Sequence, residues 1–231
     1  MKMFLLSVLL VLRIPLAAQD KIVSYTVSDI DQIRFFWKPD SVHNATTIHQ
    51  LNSLLAAKDQ KLIFAMNGGM FQPDYSPVGL YIQNHRQIKP LNKASGGGNF
   101  GMKPNGVFYI TSNNEAVVCK TEAFKAGKNI RYATQSGPML LINGAVHPSF
   151  TKGSSNNNIR NGVGILPNGQ VLFAISRVPV NFYDFAMYFK EKGCKQALYL
   201  DGAISQMYCP EIRMTQQSML FGVIIGVVQT P

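Results

Sequence analysis

Two spacings of apolar residues run through the chain, and each predicts a different secondary structure. Short runs of apolar and β-branched residues, separated by Gly, Asn and Pro, predict β-strands. Two segments instead place apolar residues three and four positions apart, which is typical of amphipathic helices. The predicted helices cover residues 47–58, with Thr46 or Thr47 as the N-cap, and residues 182–192, after which Gly193 is placed to end the helix.

Turn signals separate the apolar runs and favour antiparallel strand pairing. Asn-His, Asn-Asn, Asn-Gly and Pro-Asn-Gly each follow a run, as hairpin connections do. The predicted strands cover residues 22–25, 33–37, 61–66, 78–83, 106–111, 139–142, 162–166, 170–176, 196–200 and 221–228. We therefore expect an α+β fold, a single domain in which a mostly antiparallel or mixed β-sheet packs with a few helices.

The first 19 residues have the pattern of an export signal peptide. Lys2 supplies a positive start, an apolar stretch follows, and Ala17 and Ala18 form a small-residue end. The stretch is short for a bilayer span, although a retained N-terminal anchor remains the alternative. We expect an exported protein, periplasmic or extracellular, whose mature domain covers residues 20–231 and contains no transmembrane segment.

The chain is basic, with a formal net charge of +10, or +8 once Lys2 and Arg13 leave with the signal. A basic exported protein suits anionic partners such as glycans, phosphodiester polymers or a lipid surface. Nucleic acid is not expected, because the Lys and Arg residues are scattered and aromatic residues are not interleaved with them. The alternative is a surface that is basic only for solubility.

Cysteine and histidine patterns indicate no metal site. The four His residues lie far apart, without the spacing of zinc ligands. No cofactor is predicted, and a calcium ion is compatible with the sequence but not indicated by it. An oxidising compartment permits one disulfide among the three Cys residues, and Cys194 with Cys209, which flank Asp201, are the candidate pair.

Asp201 follows the apolar run at 196–200 and is itself followed by Gly202 and, three residues later, Ser205. A predicted helix, a buried strand and this turn together present an acid at the rim of a sheet. A carboxylate at a buried edge needs partners, so it either organises hydrogen bonds or belongs to a functional site. The alternative is that Asp201 only braces its own turn.

Other polar motifs also stand where predicted strands begin or end. Glycine at such positions lets backbone N–H groups approach a ligand, and arginine offers a planar donor fork that suits phosphate or carboxylate. The motifs are Asn67-Gly68-Gly69, Ser136-Gly137-Pro138, Arg160-Asn161-Gly162, Ser176-Arg177 and Asp201-Gly202. We expect Asn67, Ser136, Arg160, Ser176, Asp201 and Ser205 to converge on one pocket at the sheet rim.

In their order along the chain, these motifs resemble the phosphodiester glycosidase family, whose enzymes cleave sugar-1-phosphodiester bonds. The similarity covers about residues 62–228 and is closest to a compact bacterial branch that shares the motifs at 77–81, 103–107 and 181–183. The family commonly has Asp-Gly-Gly-Gly-Ser at 201–205, where this chain has Asp-Gly-Ala-Ile-Ser. It also tends to have Arg-Thr-Ala at 160–162, where this chain has Arg-Asn-Gly.

The resemblance implies an exported hydrolase of glycosyl phosphodiesters that acts on an anionic sugar phosphate or glycan. A phosphate monoester is a good leaving group, so a carboxylate base or nucleophile and cations for the phosphate matter more than a strong general acid. The alternative is a noncatalytic binding module for anionic glycans on the same scaffold, which the altered 201–205 motif keeps open.

The candidate residues follow from the motifs and from the small number of acids. Of the 12 acidic residues, Asp74, Asp184, Asp201 and Glu211 lie beside motifs, and Asp201 is the leading catalytic candidate. Asp184 and His147 are further catalytic candidates, although an acid early in a helix and a lone histidine each have an ordinary structural explanation. The substrate-binding candidates are Asn67, Gly68, Gly69, Ser136, Gly137, Arg160, Asn161, Ser176, Gly202 and Ser205.

Overall fold

The structure, a computed structural model, describes residues 20–38, 46–202 and 204–230. The predicted export signal at 1–19 lies outside the described residues and stays a prediction. The helices are α1 (Ile48–Ala56), α2 (Gly98–Gly101) and α3 (Phe182–Glu191). The strands are β1 (Ile22–Val27), β2 (Ile33–Phe36), β3 (Lys61–Asn67), β4 (Tyr81–Gln83), β5 (Arg86–Lys89), β6 (Gly106–Thr111), β7 (Ala116–Lys120), β8 (Ile130–Ser136), β9 (Met139–Ile142), β10 (Ala145–Val146), β11 (Asn161–Ile165), β12 (Val171–Ser176), β13 (Ala197–Tyr199), β14 (Met207–Tyr208) and β15 (Ile224–Gln229).

These strands form three antiparallel sheets in one domain, which confirms the predicted α+β class. The six-stranded sheet has the order β1-β12-β11-β13-β9-β10, the four-stranded sheet β14-β3-β15-β2, and the five-stranded sheet β5-β4-β8-β6-β7. Every strand pair that the described residues form is antiparallel.

The largest core cluster lies where the inner faces of the three sheets meet. Phe173 of the six-stranded sheet, Phe64 of the four-stranded sheet and Phe108 of the five-stranded sheet are all buried in it. The ring centroids of Phe64 and Phe173 are 5.0 Å apart, and those of Phe108 and Phe173 are 5.9 Å apart. Strand alternation therefore directs every second side chain of each sheet into a shared interior.

The helices cover outer faces of two sheets. Leu172 and Ala174, the alternate residues of β12, pack in a second cluster with Phe185 and Phe189 of α3. Helix α3 begins where predicted and is followed by Gly193, which has φ +89° and so takes a left-handed conformation that favours glycine.

Helix α1 begins at the predicted cap. The Thr47 hydroxyl accepts from the backbone N–H of Gln50, and the Gln50 side chain accepts in return from the Thr47 N–H, which is a capping box. Ile48, Leu51 and Leu55 form the buried face, which packs on the outer side of the four-stranded sheet. None of the helices in the described ranges combines the length and the apolar character needed to cross a bilayer.

The candidate disulfide between Cys194 and Cys209, which the sequence left open, is not formed, because both cysteines are free. Cys194 packs with α3 on the outer side of the six-stranded sheet, whereas Cys209 lies in the cluster between the sheets. Proximity to Asp201 in sequence did not bring the two sulfurs together, since the intervening chain crosses from one sheet to another. Burial raises the pKa of the Cys194 thiol to about 11.

Residues 200–206 connect β13 of the six-stranded sheet to β14 of the four-stranded sheet. We call this connection the Asp201 loop. Strand β3, the partner of β14, ends at Asn67, and β11, the partner of β13, begins at Asn161. The fold therefore brings polar strand ends from two sheets to the same loop.

Candidate functional site

Two buried asparagines hold the Asp201 loop. Asn161 Nδ2 donates to Asn67 Oδ1 at 2.8 Å, and Asn161 Oδ1 accepts from the Asp201 N–H at 3.0 Å. Asn67 Oδ1 also accepts from the Gln206 N–H at 3.0 Å, and Asn67 Nδ2 donates to the Asp201 carbonyl at 3.3 Å. Asn67 and Asn161 are 1% and 0% exposed, respectively. This Asn67–Asn161 pair fixes both ends of the loop.

Two serines add to the same restraint. Ser205 Oγ donates to the Asp201 carbonyl at 2.7 Å, and Ser136 Oγ donates to the Leu200 carbonyl. Each bond satisfies a polar group that burial has removed from water, and leaving such a group unpaired costs about 1–3 kcal/mol. The loop is therefore held in one conformation by side chains from three separate strand ends.

Asp201 is 8% exposed and lies directly after Leu200, which is fully buried at 0% exposure. Burial raises the pKa of Tyr199 to about 12, and the nearby Asp201 carboxylate contributes to this rise. Tyr199 therefore keeps its proton at neutral pH and can serve only as a neutral donor or acceptor. A Cβ at Gly202 would lie 1.3 Å from Tyr199 Oη, so only glycine fits at this point of the loop.

The Arg160 guanidinium is held within the protein. Nε donates to the Val180 carbonyl and Nη2 to the Asn156 carbonyl, both at 2.8 Å. The guanidinium carbon lies 3.6 Å from the centroid of the Phe182 ring, a cation–π arrangement. The residue is 1% exposed, and burial lowers its pKa from the ordinary value, with Tyr199 acting in the opposite direction.

A cleft of about 630 Å³ lies beside the Asp201 loop. Its lining residues are Ile159, Ile175, Ser176, Arg177, Ser205, Gln206, Met207, Arg213, Met214, Thr215, Gln216 and Met219. Ser205 and Gln206 belong to the loop, so the cleft and the buried polar network share a wall. Two arginines line the cleft and no carboxylate does among the described residues, so the cleft favours an anionic ligand.

Residues 213–219 form the outer wall of the cleft. Cys209 and Met214 exchange two backbone hydrogen bonds, of 2.7 and 3.0 Å, at one end of this segment. Near the other end, the Met219 N–H donates to Gln206 Oε1 at 3.4 Å. Arg213 is exposed and belongs to this segment, whereas Arg177 directly follows β12, and both line the cleft.

The predicted site residues are brought together, but mostly as a buried network. Hydrogen bonds connect Asn67, Asn161, Ser136 and Ser205 to the Asp201 loop, and Ser176 Oγ accepts from the Arg160 N–H at 2.9 Å. Only Ser176 and Ser205 of the predicted set line the cleft. Asn67, Asn161 and Ser136 therefore position the loop from behind.

The predicted glycines approach protein atoms. A Cβ at Gly69 would lie 2.4 Å from the Gln135 carbonyl oxygen, and one at Gly68 would lie 2.6 Å from a Val223 methyl carbon. Gly137 is likewise buried against the Asn105 side chain. These positions exclude a side chain because neighbouring segments pack tightly against them. That their N–H groups contact a ligand stays a prediction.

His147 has the contacts of a structural histidine. Its Nδ1 accepts from the Ser149 N–H at 3.2 Å, so Nε2 carries the proton that it donates to the Lys103 carbonyl at 3.1 Å. The residue is 1% exposed, and its ring stacks on Phe150 with centroids 4.8 Å apart. Burial lowers the pKa of His147 from its ordinary value, while the bond to Lys103 opposes that shift. This arrangement favours the structural alternative over proton transfer.

Asp184 caps helix α3. The Asp184 N–H donates to Asn181 Oδ1 at 2.8 Å, and Asn181 Nδ2 donates to Asp184 Oδ2 at 2.9 Å. The side chain is exposed in the first turn, where a negative charge also complements the helix dipole. These contacts account for an acid at this position without a catalytic role.

Sequence reasoning missed Arg213, Gln206 and Tyr199. Arg213 and Gln206 carry no motif, and only the fold places them on the cleft. Tyr199 occupies a buried strand position that predicts core packing. Arg177 belonged to one of the sequence motifs as an arginine suited to phosphate, but it was not chosen as a binding residue. In the part of the chain that the structure describes, no three His, Cys, Asp or Glu side chains gather closely enough to hold a metal ion.

Comparisons with known proteins give one consistent family. Residues 60–220 match the model of the phosphodiester glycosidase family. The uncharacterized protein YigE of Escherichia coli K12 is 42% identical over 187 residues, which cover 80% of this chain and 73% of YigE.

Solved structures show the same fold at low sequence identity. The catalytic domain of zebrafish N-acetylglucosamine-1-phosphodiester alpha-N-acetylglucosaminidase, auto-inhibited by its pro-peptide, is similar with a TM-score of 0.58 and 13% identity, covering 91% of this chain and 84% of that one. A hypothetical protein from Synechocystis is similar with a TM-score of 0.55 and 11% identity, covering 91% of this chain and 59% of that one.

Proposed function

The chain belongs to the phosphodiester glycosidase family, and from this membership we propose that it is a hydrolase that cleaves glycosyl phosphodiesters. The similar zebrafish enzyme is named for a reaction on an N-acetylglucosamine-1-phosphodiester. We extend to this chain only the bond type, a sugar joined through its anomeric oxygen to a phosphodiester.

The cleft beside the Asp201 loop carries the proposal. It combines Arg177 and Arg213 with the hydroxyl of Ser205 and the amide of Gln206. Guanidinium groups suit phosphate because their planar forks can donate two hydrogen bonds to it. A cleft with two such cations and no described carboxylate on its wall fits the phosphate part of the substrate.

Asp201 is the carboxylate that we assign to the chemistry. Its loop contributes two residues to the cleft, and its backbone N–H and carbonyl are bonded to the Asn67–Asn161 pair. Cleavage between the anomeric carbon and oxygen expels a phosphate monoester, so a base or nucleophile is required more than a strong acid. Asp201 acts as that base or nucleophile in the proposed reaction.

The buried network behind the loop has a defined part in this mechanism. Catalytic groups must be held close to their productive geometry, and side chains with fixed hydrogen bonds do this best. Asn67 and Asn161 fix the Asp201 backbone, Ser136 fixes the preceding Leu200 carbonyl, and Tyr199 fills the space beside Gly202. They are positioning residues in the proposal rather than groups that touch the substrate.

Export to the envelope or beyond is part of the same proposal. The apolar start of the sequence and the net charge of +10 support a protein that meets anionic glycans outside the cytoplasm. The sugar phosphates of envelope or extracellular polymers are the substrates that this location would offer.

A noncatalytic binding module for anionic glycans is the second candidate. Two observations favour this candidate: Asp201 is only 8% exposed, and Asp201 is not among the described residues that line the cleft. An arginine-lined cleft binds anions whether or not a carboxylate reaches them.

Hydrolysis of defined sugar-1-phosphodiesters, with identification of both products, separates the two candidates. The proposed enzyme releases the free sugar and a phosphate monoester. A binding module retains the intact phosphodiester with an affinity that Asp201→Asn does not change. Release of a sugar phosphate and an alcohol would assign a different bond and contradict the proposal.

A further inference from the structure

We propose that the cleft beside the Asp201 loop accepts a phosphate that carries an apolar chain, so that the substrate is a sugar joined through phosphodiester to a lipid-like alcohol. This inference rests on the proposed function for the bond that is cleaved. The apolar chain is inferred from the residues that line the cleft alone. The occupant is a single alkyl phosphate group rather than a membrane surface.

The cleft also has an apolar side. Ile159 and Met214 are partly exposed, Met219 is 41% exposed, and all three line the cleft. Ile175 and Met207 also line it but are buried in the core cluster between the sheets. Methionine is unbranched and polarizable, which lets it fit flexible apolar ligands. A phosphate with a sugar on both sides would leave this surface facing hydroxyl groups.

The cationic part of the cleft consists of two arginines. Arg177 is half-buried and Arg213 is exposed, and both line the cleft. A guanidinium group can donate paired hydrogen bonds to a phosphate. Two cations and an apolar wall together complement an alkyl phosphate.

Met219 gives the cleft an exposed apolar side chain. It is 41% exposed and lines the cleft, so an apolar chain can leave the cleft along it. The neighbouring Leu220 is 47% exposed and does not belong to the described lining, which makes it a matched apolar side chain outside the cleft. A volume of about 630 Å³ is within the range of pockets that enclose small organic ligands.

Calorimetric binding of alkyl phosphates to the full chain tests the inference without a sugar and without catalysis. Methyl, butyl and octyl phosphate are compared below their aggregation limits, with octanol as the uncharged probe. Complete burial of one methylene raises affinity about fourfold, so partial burial of the octyl chain predicts at least roughly 30-fold tighter binding than methyl phosphate. Octanol should bind much more weakly than octyl phosphate, because it lacks the charge.

Two variant pairs assign the two parts of the ligand. Met219→Gln keeps the length of the side chain but makes it polar, so it should reduce the increase in affinity from methyl to octyl phosphate. Leu220→Gln should leave that increase in affinity unchanged. Arg213→Gln should weaken all the alkyl phosphates by about the same factor, whereas Lys128→Gln, which removes an exposed charge elsewhere, should not.

The outcomes separate this inference from the proposed function. Tight octyl phosphate binding in a protein that hydrolyses no sugar phosphodiester would support the inference and reject the hydrolase. Hydrolysis with equal affinity for methyl and octyl phosphate would support the hydrolase and overturn the inference. Binding to anionic lipid vesicles without binding to monomeric octyl phosphate would also overturn it, because the apolar residues would then contact a membrane surface.

Discussion

Asn161 Nδ2 donates a 2.8 Å hydrogen bond to Asn67 Oδ1, and this bond joins the first residue of β11 to the last residue of β3 in a different sheet. The same two side chains bond the backbone of Asp201 and Gln206. One pair of amides therefore links two sheets and the loop that runs between them. The position of Asp201 depends on that link.

Asn161→Ala should destabilise the fold and impair catalysis together. It removes both Asn161 Nδ2 bonds to Asn67, whose Oδ1 still accepts from the Gln206 N–H, and it leaves the Asp201 N–H without this acceptor. An unsatisfied buried N–H costs about 1–3 kcal/mol. Urea unfolding should show a lower free energy of unfolding. Steady-state kinetics should show a larger change in kcat than in KM, because the loop is misplaced while the cleft arginines remain.

Asn168→Ala is the matched control. Its side chain bonds only Gln170 within an exposed turn. Both stability and kinetics should stay close to those of the unaltered protein. An Asn161→Ala protein with normal stability and normal kcat would show that the Asn67–Asn161 pair does not hold the loop.

Arg160→Lys should reduce stability rather than substrate affinity alone. Lysine cannot donate to both the Val180 and Asn156 carbonyls in the planar geometry of arginine, nor cover the Phe182 ring in the same way. Loss of these buried bonds predicts a fall of about 2 kcal/mol in the free energy of unfolding. Arg86→Lys, at an exposed strand position, serves as the control.

This expectation differs from the sequence-based assignment of Arg160 as a substrate-binding residue, which would predict weaker substrate binding in an intact fold. Thermal unfolding and KM measured on the same preparations distinguish the two. A normal unfolding transition with a raised KM would restore Arg160 as a substrate-binding residue.

His147 should make the protein less stable in acid. Its folded-state pKa is lowered below the ordinary value of 6.5, mainly by burial. Protonation therefore favours the unfolded chain, so the stabilising effect of neutral His147 is complete above about pH 6.5 and is lost as pH falls through the folded-state pKa. Protonation would also replace the Nδ1 acceptor for the Ser149 N–H with a donor.

His147→Gln, which can still donate to Lys103, should flatten the dependence of unfolding free energy on pH below about 6.5. His85→Gln, at an exposed turn, should leave it unchanged. If the slope persists in His147→Gln, the acid sensitivity arises from other groups.

Asp184→Asn should affect helix α3 and not the reaction. Asparagine retains an acceptor for the Asn181 amide but loses the charge that complements the helix dipole, so stability should fall by about 0.3–1 kcal/mol. Turnover should stay near the unaltered value. A large loss of turnover without loss of stability would return Asp184 to the catalytic candidates.

Local signals in the sequence were sufficient to predict the helices and many of the strands. Helix α1 starts after Thr47 because the Thr47 side chain caps it, and helix α3 ends before Gly193 because Gly193 adopts a positive φ. Both signals depend only on residues close by in the sequence. Strand β6 at Gly106–Thr111 and strand β9 at Met139–Ile142 were predicted with the observed limits, because turn residues bound each apolar run.

Long-range packing determined what the sequence did not indicate. Strands β7 and β8, which pair on either side of β6, were not predicted. Polar residues interrupt the apolar pattern of β8, whereas β7 is a short, mostly apolar run of five residues. Long-range packing also determined which residues meet in the site. Residues such as Asn67 and Asn161 were correctly singled out at strand ends, but their contact with one another depends on how two sheets meet. The cleft position of Arg213 has no local signal at all.

The central claim is that Asp201 performs the chemistry on a loop that the Asn67–Asn161 pair holds in place. The most direct test is turnover of a sugar-1-phosphodiester by Asp201→Asn, measured beside its thermal unfolding. Asparagine keeps the shape of the side chain and removes its charge, so turnover should fall by at least about 100-fold, the scale of losing a general base, with little change in stability. A stable Asp201→Asn protein with full turnover would contradict the assignment, and a protein destabilised by about 1–3 kcal/mol with proportionate activity would make Asp201 a structural residue of its loop.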